Sequence, residues 1–235
     1  QHAEQHQRNG QMLALLDEVQ RALADLGIEV LVLKGLPMAQ RFWGGMDRRF
    51  TFDLGLLARR DQYRAATEAL IRVGFSAPRL VPQPDRLALH VSHALELTRD
   101  GLSLDLHWTL RKRPGLHFDL AATWASAASC RLDGIDCRVP SDEDQLVMLL
   151  TGLANDLERG HHRLRSFWDI YFMLKGMRRT DWRAFWASRA DQGLSVLLLN
   201  LLALVLWRLD CADHLPELAA AIADDADRLI PLDPE

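Results

Sequence analysis

A chain of 235 residues, 49% hydrophobic and 26% charged, can bury a sizeable core and has the make-up of a soluble globular protein, not a disordered or fibrous one. Its formal net charge of −4 leaves no general nucleic-acid footprint. Three cysteines, Cys130, Cys137 and Cys211, form neither a zinc-type pair nor an even disulfide framework, so reduced thiols and a cytoplasmic location are expected.

The opening QHAEQHQRNG is polar and shows no signal-peptide pattern. Gln5 to Leu26 predicts an amphipathic helix, with Met12, Leu15, Leu16, Val19, Leu23 and Leu26 as its apolar stripe and Gly27 as its stop. Ile28 to Leu33 has the length and Val/Ile/Leu content of a buried strand, and Lys34-Gly35 turns out of it. A short helix follows, with Pro37 in its first turn and Gly44-Gly45 as its break. A second strand is expected from Phe50 to Leu57. It carries Asp53 among apolar neighbours, where a carboxylate is costly unless paired, hydrogen-bonded or bound to metal.

A helix is expected from Ala58 to Val73, burying Ala65, Ala66, Leu70 and Ile71, with Gly74 ending it. Val81 to Pro84 reads as a loop or edge position because proline cannot donate to a ladder. Two strands follow, Leu87 to Thr98 and Leu102 to Leu110, joined at Asp100-Gly101, a strong hairpin signal. In the second, Leu104, Leu106 and Trp108 alternate with Ser103, Asp105 and His107, so Asp105 and His107 share a face, and Glu96 on the neighbouring strand is a candidate to lie near them.

Arg111 to Gly115 reads as a loop and Asp119 to Ala127 as a short helix. Cys130 to Val139 reads as a second hairpin around Asp133-Gly134. From Ser141 onward the chain reads helical, with breaks near Gly160, Gly176 to Thr180, Gln192-Gly193 and Asp210 to Pro216. Leu194 to Trp207 is the longest apolar stretch. It is too short for a membrane span and is expected as a buried helix. The pattern gives an α+β fold: a small mixed-sheet core over residues 1–140, α/β in character, and a helical half over 141–235.

Strand, Lys-Gly turn, short helix and the string Arg49-Phe50-Thr51-Phe52-Asp53-Leu54-Gly55-Leu56-Leu57 together resemble the uncharacterised nucleotidyltransferase family of the polymerase-beta-like superfamily. So does Asp105-Leu106-His107-Trp108, matching that family's carboxylate-Leu-His-Trp string, and so do Arg163, Arg165 and Asp169 in the helical half. The family's second strand usually carries two carboxylates two residues apart. The first is matched by Asp53; the second position is Gly55, either a natural loss or an introduced substitution.

The resemblance implies a metal-dependent transfer of a nucleoside monophosphate from a nucleoside triphosphate to a small-molecule or peptide acceptor. Asp53 and Asp105 would be catalytic and, with Glu96, would hold Mg2+, an ion that favours hard oxygen ligands. Lys34, Gly35, Arg49 and His107 would bind the nucleotide, since backbone amides, an ammonium and a guanidinium fork all suit phosphate oxygens. Asp47 and Glu96 are the candidates to replace the carboxylate lacking at position 55.

Each residue also has a plainer reading. Asp53 could be satisfied by backbone amides or Arg49, Asp105 and His107 could lie on a solvated sheet face, and Arg163, Arg165 and Asp169 could make helix-surface ion pairs. The alternative function is a catalytically inactive relative that binds a nucleotide or a protein partner. The helices beyond Thr180 are expected to close over the nucleotide or to form a homodimer surface.

Overall fold

A computed structural model describes residues 2–77, 92–110 and 116–231. The chain divides into two compact units. The first comprises Gln1–Lys112 with Leu120–Ser141, the second Arg113–Asp119 with Asp142–Glu235.

The first unit is built on a six-stranded mixed sheet. Its helices are α1 (His2–Ala24), α2 (Gly35–Arg41), α3 (Tyr63–Arg72) and α4 (Leu120–Ala125). Its strands are β1 (Val30–Leu33), β2 (Asp53–Ala58), β3 (Ala94–Arg99), β4 (Leu102–His107), β5 (Ala128–Leu132) and β6 (Ile135–Val139). Their spatial order is β3-β4-β2-β1-β6-β5. β2 runs antiparallel to β1 and parallel to β4, while β1 and β6 are parallel.

Alternation along the strands divides the side chains between the two sheet faces. Val30, Val32, Leu54, Leu56, Leu104 and Leu106 join Met12, Leu16, Val19 and Leu23 of α1 and Ala66 and Leu70 of α3 in one hydrophobic core. Asp53, Gly55, Ser103, Asp105 and His107 alternate with these strand residues and so take the opposite face.

Several boundaries differ from the sequence-based expectation, each for a local reason. β2 starts at Asp53, not Phe50. The Thr51 amide donates to Asn9 Oδ1 at 3.1 Å and the Phe52 carbonyl accepts from Arg8 at 3.3 Å, so side chains of α1 take the groups a ladder would need. α1 ends at Ala24, and the amide of Ile28 donates to the Leu23 carbonyl at 3.0 Å across Gly27 (φ 67). Leu26 therefore lies beyond the buried stripe, 48% exposed.

α3 begins at Tyr63, and its buried set is Tyr63, Ala66, Ala69 and Leu70. Ala65 and Ile71 face outward, contrary to expectation. The phase is set by Tyr63, whose ring lies 4.3 Å from that of Trp108. β3 begins at Ala94, while residues 87–91 of the expected strand lie outside the described residues, as do the loops expected at 81–84 and 111–115. β4 ends at His107, three residues short of the expected Leu110.

The second unit is helical: α5 (Asp142–Glu158), α6 (Leu164–Gly176), α7 (Trp182–Ala187), α8 (Ser195–Leu209) and α9 (Pro216–Asp224), with short 3-10 turns at Ala212–His214 and Ala226–Arg228. α8 buries Leu198, Leu199, Leu201, Leu202 and Val205, but its other face is open, with Trp207 68% exposed. Asn200, the polar break in the apolar stretch, donates to the Arg228 carbonyl at 3.3 Å and accepts from the Ile230 amide at 2.7 Å, pinning the chain's last turn to α8. Among the described residues no helix is long and apolar enough to cross a membrane.

Candidate nucleotidyl-transfer site

The candidate site lies in the first unit, on β2, β4 and the turn after β1. β1 is buried along its whole length and is followed by Lys34, which takes φ 47, ψ −131, a conformation that L side chains rarely adopt. Gly35 follows at φ 35 and opens α2. Any side chain at Gly35 would meet Thr51 Cγ2 at 3.0 Å, so the turn is packed against the approach to β2. Arg49, 7% exposed, donates from Nη1 to the Gly35 carbonyl at 3.3 Å. Arg49 thus braces the turn from within, whereas Lys34 is exposed.

The β2–β4 register pairs Asp53 with Ser103, Gly55 with Asp105 and Leu57 with His107; across β3–β4, Glu96 is opposite Asp105. Asp53 and Asp105 are therefore diagonal neighbours on one sheet face, and the charge of Asp53 acts on the Asp105 carboxyl. Burial pushes the Asp105 carboxyl up to about 6; the charges of Asp53 and Glu96 add to this and the Lys34 ammonium opposes it. Lys34 is thus within electrostatic reach of the pair.

Glu96 acts on Asp105 from its exposed position on β3, but among the described residues no three His, Cys, Asp or Glu side chains converge as a metal cluster. Asp47 lies on the loop before β2, its Oδ1 2.7 Å from where a Cβ on Gly45 would stand. The His107 and His93 rings are 5.7 Å apart. In the second unit, Asp169 is buried on α6 at 4% exposure, so it is not a helix-surface partner.

Gly55 has ordinary strand backbone. A Cβ there would lie 3.3 Å from Leu33 Cβ and 3.4 Å from the Leu33 carbonyl oxygen, a tight but adjustable fit. The position therefore has room for a carboxylate once β1 gives by a few tenths of an ångström.

Two residues that hold this arrangement were not singled out from the sequence. Asn9, fully buried, donates to the Met46 carbonyl at 2.5 Å and the Arg49 carbonyl at 2.7 Å and accepts from Thr51. Arg8 bridges the carbonyls of Phe52 and Gly101, tying the start of β2 to the β3–β4 turn. A signal for Asn9 was present: with Met12, Leu16, Val19 and Leu23 it falls on the buried stripe of α1, and a polar residue there needs partners.

A family model described as uncharacterised nucleotidyltransferase matches residues 1–210. Comparison with curated proteins finds no match. Among solved structures, the chain is similar to ANT(2″)-Ia in complex with adenylyl-2″-tobramycin, with TM-score 0.52 and 9% identity over 71% of this chain and 90% of that one. It is similar to the solution structure of the antibiotic-resistance factor ANT(2″)-Ia, with TM-score 0.52 and 12% identity over 88% and 97%. It also resembles an antigenic nucleotidyltransferase-like protein from Paracoccidioides brasiliensis, with TM-score 0.50 and 18% identity over 92% and 93%. At these identities the likeness is one of fold.

Proposed function

The chain belongs to the uncharacterised nucleotidyltransferase family, and from that premise we propose that it transfers a nucleoside monophosphate from a nucleoside triphosphate to a hydroxyl-bearing small molecule or peptide. The observation that carries the reading is the Asp53–Asp105 carboxyl pair beside the Lys34-Gly35 turn. In the reaction the acceptor oxygen bonds to the α-phosphorus and the bond to the bridging oxygen breaks. Pyrophosphate leaves with that electron pair.

Two neighbouring carboxyls on one sheet face repel when both are charged, and their oxygen donors would suit a hard divalent ion such as Mg2+. With Gly55 in place of a third carboxylate, the donor set fits one ion held by Asp53 and Asp105, not two. When bound, the ion would neutralise charge on the triphosphate. Lys34, whose charge reaches Asp105, would add a positive charge for the phosphates. Arg49 is a positioning residue that keeps the turn in its strained conformation.

The test is isothermal titration with ATP and GTP, with and without Mg2+, beside pyrophosphate release. Metal-dependent binding that Asp53→Asn and Asp105→Asn both weaken at least tenfold is the expected result. Binding unchanged in both variants would refute the assignment. Gly55 favours a second reading, a nucleotide-binding relative without turnover, because a missing ligand in a two-ion site costs orders of magnitude in rate. Metal-dependent binding with no pyrophosphate released on any acceptor tested would select that reading.

A further inference from the structure

The β5–β6 hairpin carries two thiols that the site on β2 and β4 does not use. Its turn residues Asp133 (φ 45) and Gly134 (φ 91) both have positive φ, the geometry of a tight two-residue hairpin. Leu132 and Ile135 close that turn as a hydrogen-bonded pair. Pair types alternate along an antiparallel ladder, so Cys130 and Cys137, two residues further along each strand, are again such a pair, with Cα atoms about 5.5 Å apart. Disulfides span Cα separations of roughly 4.4–6.8 Å. Directly opposed residues project to the same face, so the Cys130 and Cys137 side chains are neighbours. Neither is in a disulfide.

The two thiols differ in access. Cys137 is buried at 6% exposure and Cys130 is half-buried. An open groove of about 730 Å³ is lined by both, together with Gln20, Glu29, Arg131 and Arg138. Its size is in the range that admits small ligands. Arg131 is ion-paired with Asp136 at 3.7 Å and Arg138 with Glu29 at 2.6 Å, so the groove offers both signs of charge to a visitor that carries carboxylates and ammonium groups.

We propose that Cys130 and Cys137 form a modification site: a cross-strand dithiol that closes to a disulfide by exchange with a small anionic disulfide of the glutathione class. The more exposed Cys130 gives up its proton and its sulfur attacks one sulfur of the small disulfide, expelling one glutathione thiolate. Cys137 then loses its proton and attacks Cys130 Sγ, and the second glutathione thiolate leaves. Two protein thiols become one disulfide, one glutathione disulfide becomes two glutathiones, and the protons balance. Burial pushes the Cys137 thiol up to about 12, with the neighbouring Cys130 adding to it, so Cys137 is the poorer first attacker and its step relies on the closeness of the two opposed sulfurs. The bond reopens under excess reduced thiol by the reverse path.

The test uses the full chain. After incubation with glutathione disulfide it is unfolded in denaturant, its thiols are alkylated, and it is digested without reductant for mass spectrometry. Alkylated cysteines should fall from three to one, with Cys211 still labelled and a single peptide pair linked through Cys130 and Cys137. In Cys137→Ser the reaction should stop at a glutathione adduct on Cys130, and Cys130→Ser should take up at least tenfold less. Each variant's fold is checked by circular dichroism. Three labels remaining after incubation, a stable adduct on the unmodified chain, or a link to Cys211 or between chains would each overturn the proposal.

Discussion

Asp53 and Asp105 stand diagonally across the parallel β2–β4 ladder: their register partners are Ser103 and Gly55, yet both carboxyls take the same sheet face and the charge of Asp53 acts on Asp105. Of the two, Asp105 is the more buried and is pushed up to about 6, first by burial and then by Asp53 and Glu96. A carboxyl whose folded value exceeds its unfolded value favours the native state when protonated. The site is therefore least costly to the fold below about pH 4. Its cost appears as pH rises from about 4 to 6, and persists above that. Asp105→Asn, neutral at every pH, should stabilise the chain at pH 7.5 by on the order of 1–2 kcal/mol after allowing for solvent screening. The gain should vanish near pH 4. Urea unfolding of both chains across this range checks it, and an equal difference at pH 4 and pH 7.5 would contradict it.

Gly55→Asp is the complementary experiment. The new Cβ sits 3.3 Å from Leu33 Cβ, and a third carboxylate joins a site that already strains to hold two. Without metal the variant should lose about 1–2 kcal/mol of stability. With millimolar Mg2+ the ordering should reverse, since an ion that binds only the native state stabilises it by mass action. Thermal melts with Mg2+ and with chelator read the sign directly. Pyrophosphate release should rise at least tenfold over the parent chain if the missing carboxylate limits turnover.

Much of this arrangement was legible in the sequence. The Asp-Gly pairs at 100–101 and 133–134 marked both hairpins because those turns require positive φ, and Asp100, Gly101, Asp133 and Gly134 all have it. Alternation placed Asp105 and His107 opposite Leu104 and Leu106. Strand pairing was harder to read. That β2 lies between β1 and β4, parallel to β4, depends on contacts far apart in the chain, and this pairing is what makes Asp53 and Asp105 neighbours and sets Gly55 against Asp105. The phase of α3 escaped the local pattern too, because Tyr63 and not Ala65 is held by Trp108. Arg49 read as a phosphate ligand from its place in the string. The structure buries it under the Lys34-Gly35 turn, a contact that depends on tertiary packing.

Asn9 should be the most sensitive polar residue of α1. It satisfies two backbone carbonyls and one amide in a fully buried position. Asn9→Leu keeps the branching and the number of heavy atoms but strands these groups, and each buried unsatisfied group costs roughly 1–3 kcal/mol. We expect a loss of about 3 kcal/mol in urea unfolding. Faster amide hydrogen exchange should be confined first to residues 46–53, the segment Asn9 clamps. Asn9→Asp should lose at least as much, because it removes the donor and buries a charge. A loss under 1 kcal/mol for both would mean that the β2 entry is held by other contacts.

Arg99, at the end of β3, gathers three contacts in one side chain. Its Nη1 and Nη2 fork onto Glu18 of α1 at 2.8 and 2.6 Å, Nη1 also donates to the Val73 carbonyl at 2.8 Å, and the guanidinium lies 4.9 Å from the Phe75 ring centroid. The hydrogen bond to Arg99 holds the Glu18 carboxyl below the usual range. A depressed carboxyl adds stability that is present above its unfolded value and lost as pH falls through the folded one. Glu18 itself is largely exposed, so the ion pair alone contributes under about 1 kcal/mol. Most of the loss in Arg99→Ala should come from the carbonyl left without a donor and from the uncovered face of Phe75, about 2 kcal/mol in total. Arg99→Lys keeps the charge but has neither the planar fork nor the stacking face, and should recover less than half. Glu18→Gln should cost the least of the three and should flatten the acid side of the stability profile. Urea titrations of the three variants at pH 7.5 and pH 4 separate these contributions; a Glu18→Gln loss equal to that of Arg99→Ala would show that the ion pair, not packing, holds α1, α3 and β3 together.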